Sequence, residues 1–179
     1  MGRQYLRGGM HYRLRQFEEA ARCYEKAVRL PDTSKSDAGQ LLSCYTALGD
    51  AEGQRRAAEI AVIRAQEALT SDSVNAAAMG CAVAAYAVLG QPDTARDLIR
   101  RALLIDPNDM RMRYNFACGA ISYLKDADTA LDLLGPVFPI KPPDWFEHVA
   151  IDPDLDALRD DPRFKAMLAA AEARLASAG

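Results

Sequence analysis

Apolar residues along this chain recur at helical spacing, in paired blocks separated by short polar turns. In the first pair, Phe17, Ala20, Ala21, Tyr24, Ala27 and Val28 mark one face of a helix predicted over residues 17–30. An inner helix over 4–15 precedes it, and Pro31-Asp32 closes it. The second pair opens near Ser36 and Asp37, with Leu41, Leu42, Tyr45 and Leu48 apolar. Gly49 ends its first helix, because glycine takes the left-handed conformation without strain. Asp50 caps the next helix, predicted over 51–69. The third pair runs over 74–89 to Gly90, then from Pro92, a residue suited to a first helical turn, to Ile105 before Asp106-Pro107. The fourth inner helix is predicted over 108–124, and a short outer one over 127–134 stops at Gly135-Pro136.

These blocks are copies of one phrase. "RLRQFEEAARCYEKAVRL" (13–30) returns as "ALGDAEGQRRAAEIAVIR" (47–64), as "VLGQPDTARDLIRRALLI" (88–105) and faintly as "YLKDADTALDLLGPVFPI" (123–140). The turn residues Arg15, Gly49, Gly90 and Lys125 are spaced 34, 41 and 35 apart. A period near 34 residues is the signature of stacked helix–turn–helix units. The seven extra residues of the second interval make about two turns and rotate the face by only about 20°. The stripe Ala58, Ile60, Ala61, Ala65, Ala68 and Leu69 therefore stays on one side. The units fall near 1–34, 35–75, 76–109 and 110–140, and 141–179 reads as a capping extension.

That extension is an extended Pro-rich stretch followed by three helix starts: the capping box Asp144-x-x-Glu147, Asp152-Pro153 and Asp161-Pro162. The last helix, over 162–176, places Phe164, Met167, Leu168 and Ala171 on one face, and Trp145 and Phe146 anchor the segment to the last repeat. Solenoids need such a cover at an open end.

Composition narrows the function. Half the residues are hydrophobic and the net charge is −3, which gives no reason to expect nucleic acid or an anionic membrane. The run "ARDLIRR" (95–101) reads as a solvated outer face. No apolar stretch is long enough to span a bilayer; 76–90 comes nearest but is alanine-rich and ends in a turn. The N-terminus lacks an apolar signal region. Cys23, Cys44, Cys81 and Cys118 form no C-x-x-C pair and read as small buried hydrophobes in a reducing, cytoplasmic setting. His11 and His148 lack ligand spacing. "RGGM" (7–10) is no phosphate loop, and Gly8 and Gly9 mark close helix packing instead. Neither G-x-S-x-G nor H-E-x-x-H occurs. The pairs Asp152/Asp154 and Asp160/Asp161 read as caps and first-turn charges, and 152–156 lacks the glycine and glutamate of a calcium loop. No catalytic residue, metal or cofactor is expected, and the chain reads as non-catalytic.

The repeated phrase resembles the tetratricopeptide repeat, whose pattern is W-x2-L-G-x2-Y, then A-x3-F, then P. The A-x3-F element stands as Ala20-x3-Tyr24, Ala95-x3-Ile99 and Ala130-x3-Leu134; Tyr45 and Tyr86 match the first-helix tyrosine, and Pro107 the closing proline. No repeat has the tryptophan, and Gln54 and Ala58 stand in the second A-x3-F. The resemblance implies an all-α, right-handed superhelical solenoid of antiparallel helix pairs, with about four repeats and C-terminal capping helices. A second resemblance lies in "YNFACGAI" (114–121) and "DWFEHVAIDPDLDALRDDPRFKAML" (144–168). Both look like the end of a bacterial tetratricopeptide group attached to class III adenylate/guanylate cyclases and sometimes to Ser/Thr kinases. It implies a regulatory C-terminal region of a larger signalling protein, or a homodimerisation unit for an attached catalytic domain.

The resemblance also implies a concave groove that grips a peptide or helix. The carried-over positions are Tyr5, Gly9, Tyr12 and Arg13 in the first unit, and Gly39, Ser43, Thr46 and Ala47 in the second. Ala77, Gly80, Ala84, Ala87 and Val88 follow in the third, then Arg111, Tyr114, Cys118, Ile121 and Ser122 in the fourth. Where chaperone-binding members hold a C-terminal carboxylate, this chain has Tyr5, Gly9, Gln40, Ala77 and Cys81, so no chaperone tail is expected. The third inner helix is uncharged over 76–89, and a helix apolar all round is covered on both faces. Its cover is expected from the tail or neighbouring helices, from a second copy or from a partner, and Gly80→Arg is expected to block partner or self-association while leaving helicity intact.

Overall fold

The computed structural model describes residues 3–29, 37–140 and 143–177. The expected closure at Pro31-Asp32 and the opening at Ser36 lie outside them, as do the side chains of Tyr5, Asp144 and Glu147. Among the described residues there is no strand. The helices are α1 (Arg3–Arg13), α2 (Phe17–Val28), α3 (Asp37–Leu48), α4 (Ala51–Ser71), α5 (Ala76–Val88), α6 (Pro92–Ile105), α7 (Met110–Gly119), α8 (Ala127–Leu134), α9 (Pro143–Ile151) and α10 (Pro162–Ser177). Neighbouring helices pack in hairpins, giving an all-α, tetratricopeptide-like stack. The chain divides into two compact units, Met1–Pro107 and Asn108–Gly179, so the fourth hairpin shares its unit with the tail. No described helix is long and apolar enough to cross a membrane.

The turn is the repeated device. Arg15, Gly49, Gly90 and Lys125 have φ of 57°, 69°, 74° and 56°, and they alone are left-handed among the described residues. At the first three, the hydrogen bonds are those of a Schellman ending. The Arg15 N–H donates to Tyr12 O and the Gln16 N–H to His11 O; Gly49 and Asp50 donate to Thr46 and Tyr45; Gly90 and Gln91 donate to Ala87 and Tyr86. The fourth turn is wider. The N–H groups of both Lys125 and Asp126 reach Ala120 O, across a π-helical turn over Ala120–Leu124. The N-cap Asn75 lies 15 residues before Gly90, whereas Asp109 lies 16 before Lys125. The 35-residue interval thus carries its extra residue inside the inner helix, as a π turn.

The 41-residue interval behaves as its period implies. Helix α4 has 21 residues and α6 has 14, which accounts for all seven. Gly53, Ala57, Ala61, Ala65 and Ala68 stay buried along one stripe through the added turns. Caps set the starts. Asp50 Oδ1 accepts the Gly53 N–H at 2.9 Å, and Asn75 Oδ1 accepts that of Ala78 at 2.9 Å. Asp109 Oδ1 takes those of Arg111 and Met112 at 2.9 and 3.0 Å. The caps at Asn75 and Asp109 start α5 and α7 two residues later than the apolar spacing alone predicts. Outer faces carry solvated pairs such as Arg56–Glu52 at 2.7 Å and Arg100–Asp97 at 3.4 Å, each contributing a few tenths of a kcal/mol.

The core of the first unit packs many small side chains around a few large ones such as Tyr24, Leu42 and Val83. Ala65 and Ala68 of α4 meet Ala78 and Ala82 of α5, with Leu69, Tyr86 and Leu98 around them. Glycine supplies the closest approaches. A Cβ on Gly8 would lie 2.7 Å from the Tyr24 ring, and one on Gly39 2.5 Å from Cys81 Sγ. Gly8 is therefore a packing residue, as the sequence implied, while Gly9 has only the Tyr24 hydroxyl near it, at 3.5 Å. The second unit is built on aromatic rings. Phe138 stacks edge-on against Trp145 and Phe164 at 5.5 and 5.9 Å and tilts against Phe146 at 5.6 Å. Trp145 and Phe146 anchor the tail, as expected. The Pro-rich stretch is not extended throughout. Val137 and Ile140 donate three residues back, to Leu134 and Val137, and fold Phe138–Ile140 into a 3-10 turn that buries Phe138. Asp152-Pro153 likewise starts a 3-10 helix, Pro153–Leu158, rather than an α-helix.

Three substitutions test this account by urea unfolding. Gly90→Ala is expected to cost about 1–2 kcal/mol, the strain of a left-handed Cβ. Arg15→Gly is expected to be neutral or stabilising by up to about 1 kcal/mol, because it relieves that same strain. Gly8→Ala is expected to lower the midpoint despite alanine's helix propensity, because overpacking costs about 1–3 kcal/mol.

Candidate functional site

The inner helices of the first unit, α1, α3 and α5, carry most of the positions assigned to the groove. Arg13 and Ala47 are exposed; Thr46, Ala77, Ala87 and Val88 are half-buried. Tyr12 is buried edge-on against Phe17, with ring centroids 5.4 Å apart. Thr46 is held in its own hairpin: its hydroxyl donates to Leu42 O at 2.8 Å and accepts from Gln54 Nε2 at 2.8 Å. Ser43, Gly80 and Ala84 are buried.

Gly80 and Ala84 decide among the covers expected for the third inner helix. Helices α4 and α6 pack along α5, with α3 beside it, and the chain itself buries the small residues that were to receive a covering backbone. Gly80→Arg would therefore test folding rather than association. Where α3 meets α5, at Gly39, burial pushes the Cys81 thiol up to about 11, so it is no ready nucleophile at neutral pH.

In the second unit the inner face is closed by the tail. Arg111 is exposed, while Tyr114, Cys118 and Ile121 are buried and Ser122 is half-buried. The Tyr114 hydroxyl donates to Asp152 Oδ2 at 2.5 Å, and its ring stands edge-on to Trp145 at 5.2 Å and tilted against His148 at 5.9 Å. Ser122 Oγ donates to Asp154 O at 2.9 Å. Asp152 is the junction. Its Oδ1 accepts the Asp154 N–H at 3.0 Å as the N-cap of the 3-10 helix. His148 Nε2 lies 3.4 Å from its Oδ2, and the Arg159 guanidinium donates to its carbonyl at 3.0 Å. Burial pushes the Asp152 carboxyl up, but hydrogen bonds from His148, Tyr114 and the Asp154 N–H outweigh it and leave it below the usual carboxylate value. Burial, with Cys118 and Asp152 nearby, raises Tyr114 far above the ordinary phenol.

Cys118, Asp152 and Asp154 bring three potential metal-ligand atoms within 4.8 Å of one another. Their chemistry fits a hydrogen-bonded clasp better than a metal centre. Both Asp152 oxygens already accept hydrogen bonds, and burial followed by the two carboxylates drives the Cys118 thiol well above its usual value. Sequence reading found Asp152 as a cap and Tyr114 as a groove residue, but not their union across 38 positions. A capping aspartate carries no mark of a distant tyrosine.

Tyr114→Phe is expected to cost the second unit about 1.5–3 kcal/mol, the contribution of a hydrogen bond to a charged group. Trp145 fluorescence against urea reads the loss. The Asp152 carboxyl sits lower in the folded than in the unfolded chain, so its stabilisation is complete above an unfolded value near ~3.9 and is lost as pH falls through the folded value. The wild type should therefore lose more stability between neutral and acid pH than Asp152→Asn; equal loss would remove the carboxylate from the account.

The family model described as tetratricopeptide repeat matches residues 3–33, the segment that holds α1, its left-handed turn at Arg15 and α2. A search of curated proteins finds no match. Residues 3–33 thus match a single tetratricopeptide repeat, and the next two hairpins repeat the hydrogen bonding of its turn.

Proposed function

We propose that this chain is a non-catalytic protein–protein interaction module that holds a peptide or helix of a protein partner on the inner-helix face of its first unit. Tetratricopeptide repeats are generally interaction scaffolds of this kind, and stacked hairpins present inner helices side by side. The observation that carries the reading is the contrast between the two inner faces. The tail occupies that of the second unit through Tyr114 and Asp152, whereas in the first unit Arg13, Ala47, Thr46, Ala77 and Ala87 retain exposure. The chain lacks the cationic set for chaperone tails, so the reading favours another peptide class. A place in a cyclase-type signalling protein, in the cytoplasm, rests on the likeness of residues 114–121 and 144–168.

Photo-crosslinking tests the reading. A benzophenone amino acid at Ala47 or Ala77 of the full chain should trap one protein partner, and at Arg55 or Arg100 on the outer helices it should not. Equal trapping from both sets would overturn it. Self-crosslinks from Ala47 that scale with chain concentration would replace the partner with a second copy.

A further inference from the structure

One surface of α1, which borders the inner face of the first unit and shares only Arg13 with it, has the make-up of a second docking site. Leu6, Met10 and Leu14 are 60%, 49% and 60% exposed. They follow one another at i, i+4 and i+8, and the Leu14 N–H still bonds back to Met10 O, so the helical run reaches it. At about 100° per residue, Arg13, Leu6, Met10, Leu14 and Arg7 fall in that order across about 120° of the helix surface. An apolar stripe is thus bordered on each side by an exposed arginine. Helix α1 holds no acidic residue, in a chain whose net charge is −3.

The repeat itself states what such a face takes. Stepping by the intervals between turns, Met10 corresponds to Cys44 in α3 and Ala85 in α5, and Arg7 to Leu41 and Ala82. Cys44 and Ala85 are 0% exposed. They lie in inner helices on which a preceding outer helix packs: α2 on α3 and α4 on α5. At Met10 and Arg7 the first unit carries larger or charged side chains where the others have small or aliphatic buried ones, while Leu14 corresponds to the half-buried Leu48 and Leu89. That face is shaped for a helix that sits further out and meets arginine at its edges.

From this continuity with the internal interfaces and from the charge, we infer that the outer face of α1 docks an acidic amphipathic helix of a partner protein. The partner's apolar stripe covers Leu6, Met10 and Leu14, and its carboxylates pair with Arg7 and Arg13. Three side chains make a contact well below the ~800 Å² per partner of a standard interface, so the dissociation constant falls in the micromolar range.

The test titrates the isotope-labelled full chain with a designed helical peptide of about five turns, leucine-striped and flanked by glutamate. Saturable amide shifts confined to residues 6–14 are expected. Met10→Glu, and separately Arg7→Glu with Arg13→Glu, should weaken binding about tenfold or more at unchanged helicity. A lysine-flanked version of the peptide should bind about tenfold more weakly than the glutamate one. Equal binding of the two peptides, or shifts centred on α3 and α5, would overturn the inference. Binding of the chain to anionic vesicles that Met10→Glu abolishes would assign the face to membrane instead. A dimer in sedimentation that Met10→Glu dissolves would assign it to a second copy.

Discussion

One left-handed residue at the end of each inner helix is the constraint on which the rest of this structure depends. It reverses the chain in three residues, satisfies the last carbonyls of the helix and fixes the angle at which the outer helix returns. Because the same hydrogen bonds recur at Arg15, Gly49 and Gly90, successive hairpins start from one geometry. Variation is then confined to places that leave the turn alone. Seven residues lengthen α4 in phase, and one residue widens the end of the fourth inner helix into a π turn. The alanine stripe works with the turn, since small residues let neighbouring helices approach closely, as Ala65 and Ala68 do to Ala78 and Ala82.

The two units reach stability by different means. In the first, Ala–Ala and glycine contacts bring the helices close, and polar groups of the inner helices bond within their own hairpin, as Thr46 does through Leu42 and Gln54, and to the preceding one, as Tyr45 does with Glu25 and Tyr86 with Gln66. In the second, the tail brings Phe138, Trp145, Phe146 and Phe164 together, and a buried phenol–carboxylate bond joins α7 to the 3-10 helix. A buried carboxylate is tolerated there because a hydroxyl, a backbone N–H and an imidazole all face it. The two inner faces differ accordingly: Tyr114 and Cys118 of the second unit are buried beside Asp152 and Asp154, whereas Arg13 and Ala47 of the first are exposed.

Much of this was legible in the sequence, for identifiable reasons. Gly49 and Gly90 announce left-handed turns by residue type, whereas Arg15 and Lys125 do so only through the period. The in-phase extension of α4 follows from the size of the interval. The π turn does not, because a one-residue excess could equally lie in a loop. Aspartates before proline read as caps, yet Asp152 could not be joined to Tyr114, since the contact spans 38 positions and neither residue needs the other for its local role. What covers Gly80 could not be read for a related reason: a small residue on a helix looks the same beside a partner's groove contact as beside a packed neighbour.

Burial by the tail of Tyr114 and Cys118 in the second unit, set against exposure of Arg13 and Ala47 in the first, is the central claim. Site-resolved thiol labelling under native conditions, followed by mass spectrometry across a urea series, tests it most directly. Cys118 should label only through opening of its unit, at a rate that rises with urea, while a cysteine in an Ala47→Cys variant should label at once and independently of urea. Rapid, urea-independent labelling of Cys118 would contradict the account.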